Sequence, residues 1–131
     1  MTARSVRIVH AAMAAGMILF GIIAHFVLAP NANPSGALAT RVPVALAAAL
    51  GLCAVSFLLL KRVPRATAGE STDSFWMRAA SPAQITWALL EGAALLCIVL
   101  YSQTGSKTAI AVALIPIVIL ILLKPAYFER R

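Results

Sequence analysis

PAQITWALLEGAALLCIVLY, residues 82–101, holds a single acidic or basic residue, Glu91, in twenty positions. At 1.5 Å per residue, a helix of that length is about 30 Å long, the thickness of a bilayer's hydrocarbon core. Outward from it lie three more apolar segments, Ile8 to Leu28, Val42 to Leu60 and Thr108 to Leu123. The first two of these are long enough to span. The last has sixteen residues and reaches across only if Lys107 and Lys124 snorkel outward or the bilayer thins locally. Of 131 residues, 62% are hydrophobic and 11% charged, with a mean hydropathy of +0.94; a water-soluble fold needs a charged exterior that so few charges cannot supply.

The expected fold is therefore all-α: one transmembrane domain of four helices, at about 8–28, 42–60, 82–101 and 108–123, with a cytoplasmic loop at 61–81. The first segment follows Arg4 and Arg7 as a signal peptide would. Its apolar run of 21 residues exceeds the usual signal length and Pro30 follows directly on Ala29, so it is read as a retained span. Spans alternate direction, which divides the eleven Lys and Arg residues between two sides. Arg4, Arg7, Lys61, Arg62, Arg65, Arg78, Lys124, Arg130 and Arg131 fall on one, and only Arg41 and Lys107 on the other. This bias places both termini in the cytoplasm. It also accounts for the net charge of +7 without nucleic acid, since no basic stripe is present.

Turn residues fill the first external loop (PNANPSG), and SQTGSK is a tight second one. The spans thus pair as two antiparallel hairpins, 1 with 2 and 3 with 4. Gly16 in HAAMAAG aligns with Gly92 in TWALLEG, and KRVP and KP close spans 2 and 4, so the hairpins could be copies of one unit or merely share membrane constraints. In the middle loop, Phe75 and Trp76 of FWMR are expected at headgroup level as interface anchors. The S-P-A-Q string at Ser81 to Gln84 reads as a helix start with Pro at the first position.

Glu91 lies nine residues beyond Pro82, about 13.5 Å along the helix and close to mid-membrane. A carboxylate costs about 2.5–3.5 kcal/mol there, so it is expected among other helices, protonated, and bonded to an acceptor. Candidates at similar depth are the Val112 carbonyl, freed by Pro116, and Cys53 or Ser56. Two roles stay open: a neutral carboxyl gluing helices together, or a proton or cation site or cofactor contact in a larger assembly. Ala12 with Gly16 and Ala88 with Gly92 are small-xxx-small pairs that would let spans 1 and 3 pack closely.

His10 and His25 are fifteen residues apart on span 1, about 22 Å, and cannot share one metal or haem. They fall on a similar helix face, so only a parallel dimer could pair each with its copy around two haems. Interfacial histidines are the simpler reading. Cys53 and Cys97 read as small packing residues, at depths too different for a disulfide. No nucleophile–base pair, metal-ligand cluster or nucleotide motif is present, so no catalytic site and no cofactor is expected.

The string ITWALLEGAALLCIVLYSQTG resembles the ion-binding helix of the rotor-ring proteolipids of rotary ATPases, which would imply a proton on Glu91 and a ring of identical chains. It departs from them in lacking the repeated glycines of span 1 and in carrying the carboxylate on an odd-numbered helix. As a whole, VHAAMAAGMILFG, WALLEG, YSQTG and the terminal KP are similar to small uncharacterised four-span proteins of bacterial inner membranes. Small multidrug transporters share the size, but carry their Glu on the first helix, where this chain has none. The resulting expectation is a small inner-membrane protein acting by association, as a homo-oligomer or accessory subunit. The alternative is a proton- or cation-translocating protein using Glu91.

Overall fold

The computed structural model describes residues 1–130 and is all-helical among them, with no strand. Arg131 lies outside the described residues. Five helices follow in order: α1 (Ala3–Ile23), α2 (Val42–Leu60), α3 (Thr72–Thr104), α4 (Lys107–Leu122) and the short α5 (Pro125–Glu129). Three helical stretches, Ala3–Asn31, Ala39–Leu60 and Thr72–Thr104, are long and apolar enough to cross a membrane; α4 is apolar but shorter. Large apolar side chains cover the outside, among them Phe26, Val44, Leu58 and Leu122. Such a surface is compatible with a membrane protein.

α3 is the axis of the fold. The Ser71 hydroxyl caps its start by accepting from the Ser74 amide, and Gly105, at φ 69°, ends it by donating its amide to the Tyr101 carbonyl. Ser106 then caps α4 through the Ala109 amide, so two residues turn the chain back on itself. The helix therefore begins well before the expected Ser81–Pro82 start. Pro82 sits inside it, where proline removes one amide donor without requiring the helix to stop. Thirty-three residues make α3 roughly 50 Å long, and its first three turns take up half of the segment expected as loop.

α2 and α4 both pack along α3, and α1 packs on α3 while barely touching α4. α1 and α2 do not lie against each other. The expected first hairpin is thus absent as a packed unit, because residues 29–41 carry the chain over the end of α3, where the Asn33 amide donates to the Gln103 carbonyl. The two halves are not equivalent hairpins.

α1 continues through a π turn, Ala24–Leu28, and a 3-10 turn, Ala29–Asn31. The wider turn adds a residue to the helical repeat and rotates the side chains beyond it. His10 is buried and His25 exposed, and both reach α3, at Trp87 and Tyr101 respectively.

Candidate functional site

Three of the four carboxylates are engaged near the end of the molecule that holds both termini. Glu129 accepts from Arg7 at 2.9 Å and from the Trp76 indole at 2.9 Å. Glu70 accepts from Arg78 and Thr67, and Asp73 accepts from the Ala3 amide at the start of α1. Glu91 alone has no hydrogen bond or ion pair among the described residues. It is partly buried on α3, and the expected bond to Val112 or to span 2 does not form. The Ser56 hydroxyl is spent on its own helix, donating to the Cys53 carbonyl at 2.7 Å. Pro116 is buried in α4, and Cys53 and Cys97 are buried free thiols.

The position of Glu91 follows from helical geometry. Met77, Ser81, Ile85, Ala88, Val99 and Gln103 are exposed and mark the one uncovered stripe of α3. Glu91, three residues after Ala88, stands about 60° to one side of it, next to buried Leu90 and Ala94. The carboxyl therefore lies at the rim of an outer face.

The small-residue pairs lie on outer faces too. Ala12, Gly16 and Ala88 are exposed and Gly92 partly so; a Cβ added at Gly16 or Gly92 meets nothing within 4 Å. They do not form the contact between α1 and α3. That contact uses Val6, His10, Met17 and Ala24, at helical spacing on the other side of α1; Ala12, two residues on from His10, points away by about 200°.

Phe75 and Trp76 are buried rather than anchored at an interface. With Trp87 and Phe128 they form an aromatic cluster with ring centroids 4.9–6.3 Å apart. α5 folds back to deliver Phe128, which is why these rings turn inward. The last carbonyls of α4 have no partners within that helix. His10 donates from Nε2 to the Leu120 carbonyl at 2.9 Å, and the Trp87 indole donates to the Leu123 carbonyl at 2.9 Å. His10 also meets Trp87 edge-on at 4.8 Å. It is a buried cap for α4, with Nε2 committed to that carbonyl. Sequence reading missed this cluster, although two tryptophans, YFE and a histidine near the same end of their spans were visible.

At the opposite end, His25 is exposed and its Nδ1 lies 2.6 Å from the Tyr101 hydroxyl. The two side chains share a cavity of about 380 Å³ with Lys107. No group of three metal-binding side chains comes together among the described residues. No protein-family model matches this chain, and neither a curated protein nor a solved structure is similar to it.

Proposed function

We propose that the chain is a small integral protein of a bacterial inner membrane that crosses it four times with both termini cytoplasmic. It works by association, as a homo-oligomer or as an accessory subunit of a larger membrane complex. The observation that carries this reading is the unpaired Glu91 at the rim of the outer face formed by Ala88 and Gly92. Facing lipid, a carboxylate near mid-membrane costs about 2.5–3.5 kcal/mol, and a neighbouring chain removes much of that cost. Small residues beside it allow close approach of a helix, and a polar partner on that helix supplies the missing bond.

The test exploits the empty space at Gly92. Because a Cβ there meets nothing within 4 Å in the chain's own fold, Gly92→Leu should keep full helicity yet split the complex purified in mild detergent. Co-migration of Gly92→Leu unchanged from wild type would sink the association reading. Identification of the co-migrating chains separates an oligomer of one chain from a subunit.

A second reading, proton or cation translocation through Glu91, has one observation in its favour. This carboxyl is the one not spent on a partner among the described residues. It expects Glu91→Gln to abolish proton flux in dye-loaded proteoliposomes while the complex stays whole. Topology is checked separately by cysteine labelling from outside intact cells. A cysteine at Asn33 should react and one at Gly69 should not, and the reverse would overturn the orientation.

A further inference from the structure

At the loop end, two concavities meet at His25. One is the polar cavity it shares with Tyr101 and Lys107; the other is a groove of about 310 Å³ between α1 and α4, floored by Ile98 of α3. The groove exists because α1 and α4 barely touch, and it is walled by Met17, Gly21, Leu114 and Ile117. Gly21 adds no side chain to it; a Cβ there would make an ordinary contact with Ile98 at 3.8 Å. From Lys107 to Ile117 is ten residues, roughly 15 Å of helix and half the thickness of a hydrocarbon core. An apolar slot of one leaflet's depth thus opens at its outer end into a polar cup.

The cup selects for negative charge. Lys107 brings an ammonium, and the His25–Tyr101 pair holds two polar hydrogens, one N–H and one O–H, of which their mutual bond uses one. The other is left to donate. None of the four acidic residues lines the cup or groove.

We propose that this composite site holds one anionic phospholipid of the leaflet at the loop end. An acyl chain lies between α1 and α4, and the phosphate sits on Lys107 and the spare hydrogen of the His25–Tyr101 pair. The combined volume suits a partly enclosed ligand, and the slot excludes a soluble anion as the natural occupant because it would leave the groove unfilled. The proposal rests on the membrane reading above but not on its orientation. The Asn33 and Gly69 labelling tests sidedness alone, whereas lipid retention is indifferent to which side the loop end faces.

The full chain is reconstituted in nanodiscs of mixed phosphatidylglycerol and phosphatidylethanolamine and released for native mass spectrometry. The expected result is one retained phosphatidylglycerol per chain. Lys107→Gln should lower that retention about fivefold, the effect of one cation near a bilayer surface. Arg41→Gln, removing the other cation of this side, should leave it unchanged. Leu114→Trp should abolish retention by filling the groove, and since Leu114 is 56% exposed the fold accommodates the ring, as circular dichroism will verify. Equal retention of the two lipids by wild type, or equal losses in Lys107→Gln and Arg41→Gln, would overturn the site in favour of diffuse charge attraction. Displacement by inorganic phosphate with no effect of Leu114→Trp would overturn it in favour of a free anion. Loss of a chain–chain contact in Leu114→Trp without loss of lipid would assign the groove to a protein partner.

Discussion

The two ends of the bundle solve the problem of terminating helices in opposite ways. At the end that holds both termini, α1, α3, α4 and α5 converge, and side chains from three of them cap or pair one another: His10 and Trp87 on α4's carbonyls, Trp76 on Glu129. At the loop end, Gly105 ends α3 with a backbone cap, the Ser106 hydroxyl starts α4, and one side-chain bond, His25 to Tyr101, joins the π turn after α1 to α3. Aromatic area and satisfied donors concentrate stability at the first end. The second is left with open space and spare donors, the properties a binding site needs.

Substituting the residue that does most at the packed end should therefore have the largest effect. Trp87 is fully buried, packs against Trp76, Phe128 and His10, and donates to the Leu123 carbonyl. Trp87→Ala leaves a cavity and an unpaired carbonyl, for an expected loss of about 3–5 kcal/mol in detergent unfolding followed by circular dichroism. Its counterpart at the loop end is Tyr101→Phe, which removes one interhelical bond and keeps the ring. The average measured for such bonds in membranes is about 0.6 kcal/mol, and that is the loss expected. Similar losses from the two variants would erase the contrast between the ends.

The same contrast explains what was legible in the sequence. Apolar runs reveal four helical segments because lipid exposure needs nothing beyond uninterrupted hydrophobicity, and the Gly105–Ser106 turn was visible because a left-handed cap calls for glycine. The extension of α3 through Pro82 was hidden. Ser81–Pro82 imitates a helix start, and nothing local distinguishes it from Ser71, which wins because the turns it adds bury Phe75 and Trp76, the latter against Phe128 of α5. Small-residue spacing at Ala12 and Gly16 marks a helix face that allows close approach. It could not say whether that face meets another part of this chain, since the spacing is the same for either partner. Glu91 was found by its depth alone, while its missing bond depends on where the other helices stand around α3, which no motif encodes.

The smallest effect is expected beside the packed end, in the exposed turn before α3. Gly69, at φ 80°, lets the chain fold back so that Glu70 accepts from Arg78 at 2.7 Å and from the Thr67 amide at 3.1 Å. The Arg78 guanidinium foremost, then the Thr67 amide, hold the Glu70 carboxyl below its ordinary value of 4.5. A depressed carboxyl stabilises the fold above its unfolded value and loses that contribution as pH falls through the folded one, so the turn should hold at neutral pH and loosen only below 4.5. In detergent micelles, the Thr67 amide resonance should titrate with a midpoint below 4.5, and Glu70→Gln should remove that transition. Helix content should not change with it, because the Arg78 side of the pair is solvated and the aromatic cluster does not depend on it. A midpoint at or above the ordinary carboxyl value would mean that Arg78 does not hold Glu70, and a simultaneous loss of helicity would show that the turn and the packed end unfold as one unit.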